Sequence, residues 1–442
     1  MTALTTTHGR PIAVIGAGPS GLATCKNLRN AGLAFECFDA ASTVGGIWNV
    51  EAERSGGYRS LHTNTSTGKM MLSEFPFPEG TPDFPDHSEM LRYFEAYTEH
   101  FGLADAIRLE TAVDAANPTD DGGWRLRFAD GSEREFAACV VATGQYGTPR
   151  MPEPAPEGSF SGEQIHAFDY LDAQTPIDCT GKRVVVVGLG SSAAEIATEL
   201  GGGREGPTLA SEVILSARSG RYIVPKRING KPLDDNSPHP TAPLPKTVRW
   251  VPEAVQVKLM QSFINKVFGG MAADVGDPAK WNLPSPRFPA YEERPTISDG
   301  FISALDAGRV QGRPGIAGFA GNTVRFSDDT AFEADLVIWG TGYHLAFPFL
   351  SRDVLGCDAP DLALYRRIVH PTQRNLYFIG FTRVLCSLWP VSEVQAVWLS
   401  HLLRGDFELP PPARQAKDTI AVAQALPVFC NLHAAQLRAD FE

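Results

Sequence analysis

The chain has 442 residues, 43% hydrophobic and 20% charged, the balance of a soluble globular protein long enough for two or three domains with sizeable cores. Its net charge of -12 argues against nucleic acid or an anionic membrane surface as partner, while leaving room for a local basic pocket for phosphates. No apolar run approaches the roughly 18 residues of a membrane span, Met1–Arg10 lacks the apolar stretch of a signal peptide, and the end Gln436–Glu442 is polar, so no membrane partner is expected.

Residues 11–15 (Pro-Ile-Ala-Val-Ile) read as a buried strand, Gly21–Ala31 as a helix with apolar Leu22, Cys25 and Leu28, and Ala34–Asp39 as a second strand. Between the first two lies Gly16-Ala17-Gly18-Pro19-Ser20-Gly21. Gly16 allows the tight turn, Gly18 lets a pyrophosphate approach the backbone, and Gly21 allows close helix–strand packing, with the helix N-terminus facing the negative charge. Asp39, ending the second strand, is placed to hold a ribose. Then comes Gly45-Gly46-Ile47-Trp48, in which Gly46 and Trp48 suit a backbone running along a flat ring system, or an ordinary turn with a core Trp. Trp124–Phe128 and Glu133–Phe136 form a hairpin that leads into Cys139–Gly144, a buried strand ending in Thr143-Gly144. Pro149, Pro152, Pro154 and Pro156 mark a linker.

The same order then recurs. Val185–Val187 runs into Gly188-Leu189-Gly190-Ser191-Ser192-Ala193 and a helix through Glu199, followed by a strand over Val213–Ser216. A second hairpin, Thr323–Phe326 with Ala331–Glu333, leads into Leu336–Gly342, which ends in Thr341-Gly342. Two glycine turns, each with its own Thr-Gly strand end, imply two dinucleotides in one enzyme, an arrangement that suits a flavoprotein taking hydride from a nicotinamide. The fold class is α/β, with two Rossmann-like dinucleotide-binding domains. Residues 1–150 and 343–442 form the larger FAD-binding domain, and residues 151–342 the smaller NADP(H)-binding domain inserted in it. Ala193 replaces the third glycine of the second turn and still permits close packing. The strand after it ends in Ser216-Ala217-Arg218 rather than an acid; a guanidinium there pairs with a 2′-phosphate, which favours NADPH over NADH, and Lys226 and Arg227 lie nearby in sequence.

Residues of about 230–295 are an insertion, Pro-rich at both ends (Pro238, Pro240, Pro243, Pro245; Pro284, Pro286, Pro289), with a helical spacing of Val255, Leu259, Phe263 and Val267 between. They read as a cover over the substrate site or as a surface loop with one packing helix. The seven cysteines (Cys25, Cys37, Cys139, Cys179, Cys357, Cys386, Cys430) contain no close redox pair and read as reduced thiols, which fits a cytoplasmic location. No His/Cys cluster has metal-ligand spacing, so no metal is expected.

Phe160-x-Gly162-x-x-x-His166-x-x-x-Tyr170, placed between the two glycine turns, resembles the signature of class B flavoprotein monooxygenases, the flavin-containing monooxygenases and their Baeyer–Villiger relatives. Tyr170 resembles the flavin-containing monooxygenase form, since Baeyer–Villiger enzymes usually carry Trp there; Leu171 departs from the usual Lys or Arg. Thr63-Asn64-Thr65, Phe75-Pro76-Phe77-Pro78, Thr341-Gly342-Tyr343 (with Gly340 in place of Ala), Asn375–Gly380 and Glu393-Val394-Gln395-Ala396 extend the resemblance over nearly the whole chain. It implies hydride transfer from NADPH to FAD, reaction with dioxygen, and a flavin 4a-hydroperoxide that oxygenates a nucleophilic nitrogen or sulfur of a small molecule such as an amine or sulfide. It also implies that Asn64 sits at the flavin–nicotinamide contact as the catalytic side chain, that Gln395 belongs to the closing FAD segment, and that His166 serves domain geometry and NADPH handling. The alternatives are a Baeyer–Villiger monooxygenase converting ketones to esters and a non-oxygenating NADPH-dependent flavoprotein oxidoreductase. A homodimer is the default expectation for assembly.

Overall fold

A computed structural model of the protein describes residues 9–203, 208–235, 237–244, 250–292, 294–422 and 430–441; Met1–His8, Pro245 of the second proline run and the terminal Glu442 lie outside them. The chain opens with β1 (Ile12–Ile15), α1 (Pro19–Asn30), β2 (Phe35–Phe38), β3 (Ile107–Arg108) and β4 (Ala138–Val141). It continues with β5 (Glu163–His166), β6 (Arg183–Val187), α2 (Ser191–Leu200), β7 (Glu212–Ala217), α3 (Glu253–Val275), β8 (Gln311–Pro314) and β9 (Leu336–Trp339). Last come β10 (Leu376–Phe378), α4 (Leu388–Arg404) and α5 (Cys430–Arg438). The first helix thus begins at Pro19, because proline's fixed φ and missing N–H suit an opening helical turn.

Two five-stranded sheets result, ordered β10-β4-β1-β2-β3 and β8-β7-β6-β9-β5, and every pairing within them is parallel. Their central strands are buried on both faces, so they read as unbroken apolar runs, Ile-Ala-Val-Ile in β1 and Leu-Val-Ile-Trp in β9. The first sheet takes strands from both ends of the chain, while the second is built from residues 163–339.

The internal duplication extends to atomic detail. Gly16 N–H donates to Phe38 O and Gly188 N–H to Ser216 O, both at 2.8 Å. Each unit also carries a three-stranded antiparallel sheet, residues 113–118, 124–128 and 133–136 in one and 316–320, 323–326 and 331–333 in the other. In both, the first strand has a register shift, between Val113 and Ala115 and between Ile316 and Gly318.

Two expectations need correction. The insertion does contain a helix, α3, but Val255, Leu259 and Phe263 are exposed, as is Trp250 just before it. Val267, the fourth residue of that spacing, is half-buried, as are Val257, Met260, Ile264, Phe268 and Met271. The apolar arc of the helix covers more than half of its circumference, with Lys258, Gln261, Ser262 and Asn265 on the remaining face, so spacing alone did not identify its inner face. The cysteines are not all reduced: Cys386 and Cys430 are joined in a disulfide across 44 residues of sequence, with Cα atoms 6.5 Å apart, because the folded chain brings the starts of α4 and α5 together. Cys25, Cys37, Cys139 and Cys179 are free and buried.

The two glycine turns close their helix–strand contacts with different residues. A Cβ on Gly21 would stand 1.8 Å from Gly16 O and 3.7 Å from the Ala142 methyl. In the second unit the methyl belongs to the helix, as Ala193, and the strand end opposite is Gly340, where a Cβ would lie 2.7 Å from that of Ala193. Within the second unit Ala193 and Gly340, the two departures from the family pattern, are therefore coupled: the bare strand end makes room for the helix methyl. Gly340→Ala should lower the unfolding midpoint, and Ala193→Gly in the same chain should recover at least half of the loss, a coupling of about 1 kcal/mol or more. Additive effects of the two changes in thermal melts would refute the coupling.

Candidate active site

The first glycine turn gathers most of its expected partners. Gly16 has φ +106, and Asp39 folds back over the turn, its Oδ2 accepting from Ala17 N at 2.6 Å and its Oδ1 from Ala41 N at 2.8 Å. Burial raises the Asp39 carboxyl above its ordinary range while the two amides pull it down. Each carboxylate oxygen keeps acceptor capacity for a ribose hydroxyl. Gly46, with φ +58, lies against Gly18: a Cβ on Gly18 would be 3.5 Å from Gly46 Cα, an ordinary contact. Pro19 and Ser20 open α1, and Ser20 Oγ donates to Ser392 Oγ at 3.0 Å, bringing α4 to the turn. Thr143 and Gly144 are exposed beyond β4, with open space around Gly144.

The second turn has the same form. Gly188 has φ +124, and nothing lies within 4 Å of where a Cβ on Gly190 would stand. Ser191 and Ser192 open α2. Neither α1 nor α2 has a side-chain cap at its N-terminus or an acidic residue in its first turn. Their leading amides are therefore donors suited to a pyrophosphate. The Thr341-Gly342 end is tied to a linker residue that sequence reasoning missed: Arg150 Nη2 donates to Thr341 O at 2.7 Å, and Thr341 Oγ1 donates back to the Arg150 carbonyl. Arg218 is exposed at the carboxyl end of β7.

Three expected contact residues are turned to other tasks. Trp48 is buried edge-on against Trp389, with centroids 5.6 Å apart. The Ser216 hydroxyl is fully buried and donates to Pro314 O at 2.7 Å, pinning β8. Gln395 is fully buried behind the Gly380 turn; it accepts from Gly380 N at 3.2 Å and donates to Thr382 Oγ1 at 2.6 Å.

Asn64 lies in a bend braced by residues 83–87, through Thr63 N to Pro85 O at 3.1 Å and Thr67 N to Asp83 O at 2.9 Å. Its Oδ1 is buried and has no hydrogen-bond partner among the described residues. An amide oxygen in that state costs about 1–3 kcal/mol unless a ligand or water completes it. The residues present therefore fit a bound polar group here.

The segment before Asn64 meets the second unit in a buried polar seam. The Tyr58 hydroxyl donates to Glu195 Oε2, and Ser60 Oγ to Glu199 Oε2. Lys226 Nζ lies 3.7 Å from Glu195 Oε1. Burial raises the Glu195 carboxyl, opposed by the Lys226 charge and the Tyr58 hydrogen bond, and burial likewise raises the Tyr58 phenol. Glu195 and Glu199, four residues apart on α2, were the sequence signal for this seam: two acids on a helix otherwise lined by Ala193, Ala194, Ile196, Ala197 and Leu200. Lys226 and Arg227 do not join Arg218, since Lys226 is buried and Arg227 pairs with Asp83 at 2.6 Å.

His166 ends edge strand β5 opposite Trp339. It is buried, its Nδ1 accepts from Phe168 N at 3.0 Å, and burial lowers its pKa, which keeps the ring neutral. Its ring is 5.4 Å from Tyr343, just past the second Thr-Gly end, and Tyr170 is buried beside Glu199. The motif is thus built into the junction of the two units. Among the described residues, no group of three or more His, Cys, Asp or Glu side chains could hold a metal, and no helix is long and apolar enough to cross a membrane.

The flavin-binding monooxygenase-like family model matches residues 9–441. The dimethylaniline monooxygenase [N-oxide-forming] 2 of Rattus norvegicus is 30% identical over 427 residues, which cover 92% of this chain and 76% of that protein. The structure of S-allyl-L-cysteine S-oxygenase from Allium sativum superposes with a TM-score of 0.68 at 21% identity, over 98% of this chain and 88% of that one. The open structure of cyclohexanone monooxygenase gives the same 0.68 at 19% identity, over 97% of both chains, so the fold is common to enzymes of different names. The chain belongs to the flavin-binding monooxygenase-like family and is a monooxygenase that works with FAD and NADPH.

Proposed function

We propose that this protein oxygenates a nucleophilic nitrogen or sulfur of a small molecule, such as an amine or sulfide, with dioxygen as co-substrate. FAD is held by residues 1–150 and 343–442, and NADPH by residues 151–342. The observation that carries the site assignment is the buried Asn64 Oδ1 without a partner, on a segment joined to both units. The resemblance of Tyr170 to the N- and S-oxygenating form of the motif supports the substrate class, as does whole-chain similarity to an enzyme whose name is N-oxide-forming.

FAD reduced by NADPH supplies the activated oxygen. The chain's own work is binding, orientation and exclusion of water. The amides opening α1 and the Gly18–Gly46 surface would take the FAD pyrophosphate, and Asp39 its ribose. The amides opening α2 would take the NADPH pyrophosphate, and Arg218 its 2′-phosphate. Asn64 would complete its amide hydrogen bonds at the contact of the two ring systems. His166, buried at the end of β5 with its Nδ1 accepting from Phe168 N, holds the junction of the units in shape.

Gly18→Ala should leave the unfolding midpoint of the FAD-free chain unchanged, because the new methyl meets only Gly46 at an ordinary distance, yet weaken FAD binding by about tenfold or more. Full FAD occupancy in that variant would move the pyrophosphate elsewhere. Arg218→Ala should raise the KM for NADPH by about tenfold and leave that for NADH within about twofold; equal effects on both would remove the 2′-phosphate assignment. Asn64→Ala should retain FAD but release most reducing equivalents as hydrogen peroxide, with product per NADPH falling by about tenfold when an amine or sulfide is supplied. Normal coupling in Asn64→Ala would refute its role, and formation of ester from a ketone without oxygenation of any amine or sulfide would favour the Baeyer–Villiger alternative.

A further inference from the structure

The segment bearing Asn64 is gripped from both sides by one stretch of the second unit. Lys226 Nζ donates to Thr63 O at 3.0 Å. Asp234 Oδ2 accepts from Ser66 N at 2.9 Å. Two further ties flank these: Lys69 Nζ donates to Ser237 O at 2.6 Å, and Arg227 Nη1 to Asp83 Oδ2 at 2.6 Å.

The first two ties are unusual in cost and in placement. Lys226 is 9% exposed, and a buried ammonium bears a desolvation penalty of several kcal/mol unless it is paired and hydrogen-bonded. Here the pairing comes from Glu195, and the hydrogen bond goes to a backbone carbonyl that many neutral donors could have satisfied. Asp234 keeps its other oxygen buried without a hydrogen-bond partner among the described residues. Charge-assisted bonds to backbone are about twice as strong as neutral ones, and both are spent on the same short span. The Thr63 carbonyl belongs to the peptide plane that immediately precedes Asn64, and the Ser66 amide to the plane two further on. Fixing both leaves the Asn64 backbone little freedom, so its side chain is aimed by its neighbours' anchors.

The stretch that supplies these anchors begins just after Arg218. It runs through residues 223–224, which pair in parallel with Thr296–Ile297, and then reaches Lys226. A nucleotide held at Arg218 and the grip on Asn64 therefore bear on one continuous piece of chain.

We propose that Lys226 and Asp234 are positioning residues that clamp the backbone on either side of Asn64 and make the aim of its amide depend on the NADPH-binding unit. The proposal rests on the reading of Asn64 given above. It is tested on the FAD-loaded enzyme with Lys226→Met, Lys226→Arg, Asp234→Ala and, in parallel, Asn64→Ala. The readouts are hydrogen exchange of the peptide spanning 60–69, hydrogen peroxide formed per NADPH consumed, and FAD content.

Lys226→Met and Asp234→Ala should each raise exchange in that peptide by about tenfold and shift NADPH consumption toward peroxide at unchanged FAD content, while Lys226→Arg restores coupling. Should Lys226→Met not fold, Asp234→Ala, which leaves the buried charge pair intact, carries the test alone. Unchanged exchange overturns the proposal. So does faster exchange with full coupling in the clamp variants while Asn64→Ala uncouples, because the aim of Asn64 then does not depend on the clamp. Full coupling in Asn64→Ala itself marks a different failure: the reading of Asn64 falls, and the proposal with it.

Discussion

The approach of backbone to backbone at the two glycine turns governs the rest of the molecule. The carbonyl of Gly16 occupies the space where a side chain on Gly21 would begin, and the carbonyl of Gly340 lies 2.3 Å from where one on Gly188 would stand. Contacts this close are open only to glycine, and they force each helix to start directly above the end of its strand. The leading amides of both helices then point out of the carboxyl edges of their sheets without side-chain partners, which is where dinucleotides bind in folds of this kind. The second unit is inserted between strands of the first sheet, and the stretch around Asn64 is hydrogen-bonded to it through Thr63 O and Ser66 N.

One methyl group shows how tightly this is set. The second unit has room for a single Cβ between the helix start and the strand end. Ala193 takes it and leaves Gly340 bare, whereas in the first unit Gly21 is kept bare by the Gly16 carbonyl, with the Ala142 methyl an ordinary 3.7 Å from where its Cβ would stand. An altered third glycine in the fingerprint is therefore no sign of a weakened nucleotide site when the residue across from it has changed in the complementary sense. Neither residue reveals this alone, because the two are far apart in sequence and meet only through the parallel pairing of β6 with β9.

That division also explains what was legible in the sequence. The turns, their helices, both hairpins and the Thr-Gly strand ends rest on local chemistry: glycine's conformational range, apolar runs for strands buried on both faces, and turn residues between alternating strands. All of these were readable. The three-residue strand β10 and the two-residue strand β3 exist because neighbouring strands offer them partners, and so short a span carries no periodic signal. The packed face of α3 did not follow from the spacing because the apolar arc is wider than the face that packs. The disulfide escaped notice since 44 residues separate its cysteines. Trp48, Ser216 and Gln395 were placed near the cofactors by motif, and the fold adds their partners within the protein, Trp389, Pro314 O and the Gly380 amide.

The same limit applies with most force to the seam between the units. Lys226 and Arg227 looked like phosphate partners because they are cations downstream of Arg218, and charge in sequence says nothing about which way a side chain is aimed. In the fold, both turn toward the first unit, one to a backbone carbonyl and one to Asp83. Opposite them, Tyr58, Ser60, Glu195 and Glu199 close the seam with hydrogen bonds between the units. An interface of this composition is poorly suited to sliding, because Lys226 and Glu195, moved off their partners, would be left buried and uncompensated. Apolar contacts would tolerate small shifts of one unit over the other, with a corresponding loss of definition at Asn64. A polar seam holds one registration, and the distance between the two glycine turns inherits that definition.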